Sequence, residues 1–84
     1  MSVSAVVEIQ CEPNNCKNIL GSTKNFRNIH VTNAFRTHKY SPNDADVIIT
    51  LDVDSEKDLI DFKKNLSQKY NPRNIRIRIS KRNA

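Results

Sequence analysis

A single glycine, Gly21, serves the whole chain of 84 residues. A phosphate-cradling loop needs several glycines so that backbone amides can close on the anion, so nucleotide binding of the P-loop or dinucleotide kind is removed at once. Cysteine is nearly as scarce. Cys11 and Cys16 stand in a C-x4-C spacing, which is not the C-x2-C of a redox or zinc pair, and no second pair exists to complete four metal ligands. Both fall on the inward side of their segments and are read as reduced core residues, with a disulfide as the minor reading. The longest apolar runs are three or four residues, far short of the roughly 20 needed to cross a bilayer. The opening MSVSAVVEIQ has no basic region and alternates where a signal peptide would be continuously apolar, so a cytoplasmic location is expected. H-E-x-x-H, a nucleophile elbow and a paired metal-ligand motif are also missing. No metal and no cofactor is expected.

What is present is an ordinary small-domain composition, 37% hydrophobic and 27% charged, enough for one small core but not for a core plus an enclosed cleft. The charge is unevenly placed. Through Lys69 the nine basic residues are balanced by all nine acidic ones, and the net charge of +5 is carried entirely by Arg73, Arg76, Arg78, Lys81 and Arg82. A concentrated basic end points to an anionic partner such as RNA, DNA or an acidic protein surface. It is equally what an edge strand uses to prevent sheet-to-sheet aggregation.

The clearest stretch is DVIITLDVDSEKDLIDFKKNLSQKY, residues 46–70. Val47, Ile49, Leu51 and Val53 alternate with Ile48, Thr50 and Asp52, the period of a strand. The period then lengthens: Leu59, Phe62, Leu66 and Tyr70 share one helical stripe. Asp54 or Ser55 is expected to cap the first turn, with Glu56 and Asp58 placed where the helix dipole favours negative charge. Asn71 suits the left-handed position after the last turn, and Pro72 stops the helix. Upstream, Val3, Ala5, Val7, Ile9 and Cys11 form one face of a first strand. Pro13 opens a short helix, Asn14 to Leu20, burying Cys16, Ile19 and Leu20 and stopped by Gly21. Phe26 to Tyr40 reads as a second strand with Ile29, Val31 and Phe35 inward and His30, Thr32, Ala34, Arg36 and His38 outward, bent near Asn33. Ser41-Pro42-Asn43-Asp44 is a turn. Ile75, Ile77 and Ile79 alternate with Arg76, Arg78 and Ser80 in a fourth strand, and residues 81–84 form a basic tail.

The order β-α-β-β-α-β implies an α+β, two-layer, ferredoxin-like domain over residues 1–80, with a four-stranded antiparallel sheet ordered 4-1-3-2 and both helices on one face. The other face is then open. Its central strands offer Val6, Glu8, Ile48 and Thr50 where an RNA-recognition sheet would offer stacking aromatics, which argues against base stacking. His30 and His38 are roughly 26 Å apart if extended at about 3.3 Å per residue, too far to share a metal or act as an acid–base pair. A ribonuclease using His and Arg on a basic face is the residual enzymatic reading.

Two families supply resemblances. The segments VVEIQCEPNNCKNILGSTK and DVIITLDVDSEKDLIDFKKNLSQKY resemble the small dimerising subunit of the KEOPS tRNA-modification complex. That family's L-R-x-x-x-N motif falls on Ile60-Asp61-Phe62-Lys63-Lys64-Asn65, with Asp61 in place of arginine. FRNIHVTNAF and DVIITLDVDSEKDLIDF are similar to the second strand, and to the third strand and helix, of the ligand-sensing domain of Lrp/AsnC-type regulators. That resemblance implies an oligomer with a small-molecule site at the subunit boundary.

The expected function is therefore non-enzymatic: a small basic subunit of a larger assembly handling RNA or DNA. Val6, Ile48, Thr50 and Ala34 would meet a protein partner or second copy, and Arg73, Arg76, Arg78, Lys81, Arg82 and Arg36 would contact phosphate. The alternatives are an Lrp/AsnC-like regulatory domain, or a viral or mobile-element protein that binds a host complex.

Overall fold

The computed structural model describes residues 2–83. The elements run β1 (Ser2–Gln10), α1 (Pro13–Ser22), a 3-10 turn (Thr23–Asn25), β2 (Ile29–Arg36), β3 (Val47–Val53), α2 (Glu56–Tyr70) and β4 (Asn74–Asn83). The strands form one antiparallel sheet in the order β2-β3-β1-β4. This is the ferredoxin-like α+β arrangement, and its order is the expected 4-1-3-2 read from the other edge.

Alternation in the central strands decides which side is core. Val3, Ala5, Val7 and Ile9 of β1 and Val47, Ile49, Leu51 and Val53 of β3 are all buried, and with Ile75 of β4 they pack against Cys16 and Ile19 of α1 and Leu59, Phe62 and Leu66 of α2. Both helices therefore lie on one face. Phe26 meets Phe62 edge-to-face with centroids 4.8 Å apart, and Asn15 Nδ2 donates to the Tyr70 carbonyl at 2.9 Å, tying α1 to the end of α2.

Several local expectations change. Gly21 does not stop α1. The helix continues to Ser22 because the Ser22 and Thr23 hydroxyls donate to the Ile19 and Leu20 carbonyls at 2.8 and 3.1 Å, satisfying acceptors that a helix end leaves open. Neither Asp54 nor Ser55 caps α2 through its side chain; the Ser55 hydroxyl instead donates to the Asp58 carboxylate at 3.3 Å. Asn71 is left-handed (φ 47°), its amide donating to the Ser67 carbonyl at 3.0 Å.

The second strand is shorter than Phe26–Tyr40. Asn28 takes a positive φ of 63°, which asparagine tolerates better than most residues, and the strand begins just after it. Beyond Arg36 the chain closes the hairpin through the Thr37 amide on the Asp46 carbonyl at 3.0 Å and the Thr37 hydroxyl on the Ala45 carbonyl. In the turn, the Asp44 carboxylate accepts the Tyr40 and Ser41 amides at 3.1 and 3.0 Å. The basic tail is not a tail up to Asn83. β4 continues past Ser80, with Lys81 opposite Ser4 and Arg82 opposite Val3; Ala84 lies outside the described residues. Among those residues no helix is long and apolar enough to cross a membrane.

Candidate interaction face

Residues that are opposite in an antiparallel ladder point to the same side of a sheet. Register thus assigns the paired outward residues to rows. One row runs Arg76, Glu8, Ile48, Phe35 across β4, β1, β3 and β2; the next runs Arg78, Val6, Thr50, Asn33; a third runs Lys81, Ser4, Asp52, His30. Val6, Ile48 and Thr50 lie on this uncovered face, half-buried by their strand neighbours alone.

Ala34 does not join them. A bulge between Val31 and Asn33 puts Thr32 and Asn33 together against Thr50, so the inward–outward alternation slips by one residue. Ala34 becomes the neighbour of Ile49 on the helix side and packs against the core, while Phe35 moves outward beside Ile48. The bulge is held by the Thr32 hydroxyl, which lies 3.0 Å from the Thr50 carbonyl and 2.7 Å from its hydroxyl, and by the Asn33 side-chain oxygen accepting the Ala34 amide at 3.0 Å. Phe35, 42% exposed, is the residue that strict alternation missed. The signal was Asn33, a poor strand former in the middle of the run.

The outward face thus has an apolar strip of Phe35, Ile48 and Val6, bounded by bonded polar pairs. Arg78 donates to Glu8 at 2.8 Å, and the Ser4 hydroxyl donates to Asp52 at 2.6 Å. A shallow hollow beside Ile48 is lined by Glu8, Thr37, His38, Asp44 and Ala45. His38 stacks edge-on against Tyr40, which is 91% exposed.

The six cations expected to contact phosphate do not converge. Arg76, Arg78 and Lys81 form one outward row along β4. Arg82, turned to the other face by a second bulge between Ser4 and Ala5, pairs with Glu56 at 2.8 Å. Arg36 is opposite Val47 on the helix side of the far edge strand. Arg73 lies before β4, 3.8 Å from Glu12 and 3.6 Å from Asp46.

Asp46 is the most heavily engaged carboxylate. It accepts the Cys11 amide at 3.0 Å and pairs with Lys39 at 3.1 Å. Burial alone would raise its pKa, but the Cys11 amide, the Lys39 hydrogen bond and the charges of Lys39 and Arg73 hold it below the ordinary value. Cys11 moves the opposite way: burial first, then Cys16 and the Asp46 charge, push its thiol up to about 12. Both cysteines are free, with Cys16 Sγ 3.5 Å from the Cys11 carbonyl. A buried, protonated thiol is a packing group, not a nucleophile. Among the described residues no group of three or more His, Cys, Asp or Glu is arranged to hold a metal.

No family model matches this sequence, and no curated protein does. Solved structures do share its fold. The hypothetical protein PHS023 from Pyrococcus horikoshii aligns with a TM-score of 0.74 at 15% identity, over 96% of this chain and 92% of that one. An AsnC family transcriptional regulator from Agrobacterium tumefaciens aligns with a TM-score of 0.73 at 15% identity, over 98% of this chain and 52% of its own. PH0061 aligns with a TM-score of 0.67 at 15% identity, over 99% and 55%. The chain therefore spans about half the length of two of these proteins and nearly all of the third.

Proposed function

We propose that this chain is a non-enzymatic assembly module that pairs with a second copy of itself through the uncovered sheet face. The observation carrying the reading is the strip of Phe35, Ile48 and Val6 in the middle of that face, with no helix of the described residues over it. Burying such a strip against its copy removes apolar surface from water at about 25 cal/mol per Å². The pairs Arg78–Glu8, Ser4–Asp52 and Thr32–Thr50 around it are already hydrogen-bonded within the sheet and so lose little on contact. The contact is isologous, the same strip meeting itself about a two-fold axis. Occurrence of the fold in a chain of nearly this length and in about half of longer chains suits a unit that works alone or is joined to others.

Light scattering over a range of protein concentrations tests this. The wild-type chain should shift from monomer to dimer, and Phe35→Ser should stay monomeric while melting within a few degrees of wild type. A Phe35→Ser chain that dimerises as well as wild type sinks the proposal.

A second reading is a regulatory ligand-binding domain, supported by the alignment with half of an AsnC family regulator. On that reading a free amino acid raises the melting temperature of the dimer, and a screen of amino acids that moves it for none of them removes the reading.

A further inference from the structure

The outer edge of β4 combines three features that together specify an occupant. First, β4 ends the sheet, so among the described residues one side of its backbone has no partner strand, and its one bulge, at Ser80, falls beyond the regular run from Asn74 to Ile79. Edge strands are guarded by bulges, by cover or by charged side chains, and along Asn74 to Ile79 the guard is charge alone, which repels a like-charged strand and attracts an acidic one. Second, an apolar groove of about 250 Å³ lies along this edge on the helix side, lined by Leu59, Ile60, Ile77 and Ile79 between Glu56 and Lys63. Ile60, 68% exposed, extends the apolar lining of this groove to its solvent rim. Third, the open side of the same edge carries Arg76, Arg78 and Lys81. Among the described residues Arg76 and Lys81 make no ion pair, and Arg78, paired with Glu8, is still 70% exposed.

A strand added to β4 would send alternate side chains to the two faces. One set would enter the isoleucine groove and the other would lie beside the cations. We infer that the free edge of β4 accepts an extended acidic polypeptide segment in which Asp or Glu alternates with aliphatic residues. Main-chain hydrogen bonds would supply the docking, and the two rows would supply the selectivity. A second copy is disfavoured at this edge, because antiparallel β4–β4 pairing sets cation rows against each other and like charges directly opposite destabilise a sheet. A nucleic acid would satisfy the cations but leave the isoleucine groove unused.

Fluorescence polarisation on the full chain tests this with a labelled peptide of alternating Glu and Val. The comparison ligands are a peptide of the same composition in two blocks, an alternating Lys-Val peptide and oligouridine. The alternating Glu-Val peptide should bind at least tenfold more tightly than each of them. Ile60→Ser, a change at an exposed position, should weaken it several-fold. The double variant Arg76→Glu, Arg78→Glu should lose it and gain the Lys-Val peptide. Phe35→Ser should bind it as wild type does, which separates this edge from the sheet-face contact. Equal binding of block peptide or oligouridine, indifference to Ile60→Ser, or no binding of the Glu-Val peptide each overturns the inference.

Discussion

Asp46 joins three parts of the chain through one carboxylate: the end of β1 through the Cys11 amide, the β2–β3 connection through Lys39, and the approach to β4 through Arg73. Because its folded pKa lies below the ordinary 3.8, it stabilises the fold above that value and loses this contribution as the pH falls through its folded pKa. Asp46→Ala should lower stability at pH 7 by about 2 kcal/mol, most of it from the amide and lysine contacts, since Arg73 is largely exposed. Urea melts at neutral and acidic pH check both the loss and the weaker acid dependence of the variant. Gly21 gives the opposite sign. It sits inside α1 without a positive φ, and a Cβ there would meet nothing within 4 Å. Gly21→Ala should therefore stabilise by about 0.5–1 kcal/mol, mainly by restricting the unfolded chain. That corresponds to roughly 2–8 °C in melting temperature. A lower melting temperature would show that the glycine is needed for a reason other than helix geometry.

At the scale of elements, the two bulges settle which side each edge strand shows. In β2 the extra residue turns Phe35 outward and Ala34 inward; in β4 it turns Lys81 outward and Arg82 toward α2. Thr32 is the residue accommodated by the β2 bulge, so deleting it should leave Asn33 facing Thr50, Ala34 facing Ile49 and Phe35 facing Ile48 in a regular ladder. The expected cost is about 1 kcal/mol for the lost threonine contacts, with the proposed dimer contact kept. Loss of the dimer in a folded deletion variant would show that the strand's sidedness had been misassigned. The helices were easier to read. Of their expected stripes, Cys16, Ile19, Leu59, Phe62 and Leu66 are buried, while Leu20 and Tyr70 are partly buried against the core.

For the whole molecule, the distribution of charge matters more than its total. The net +5 comes from the last dozen residues of the sequence. In the fold those cations are divided between an outward row, a pair with Glu56 and a contact with Asp46. The proposed dimerisation through the open face and the proposed peptide capture at the β4 edge are separable, since Phe35 and Ile60 lie on opposite sides of the sheet. Added salt should strengthen the first slightly, by screening like-charged protomers, and weaken the second.

Composition and periodicity alone determined the element order, the buried stripes, the helix-covered side of the central strands and the outward placement of Ile48, Arg76 and Arg78, because each follows from local repeat lengths of two or three to four. Tertiary structure decided the placement of Phe35, Ala34, Arg36 and Arg82 and the extension of β4 through Asn83. Those depend on pairing between strands distant in sequence, and an inserted residue in one strand reverses the side that every later residue shows without altering the hydrophobic pattern of its partner.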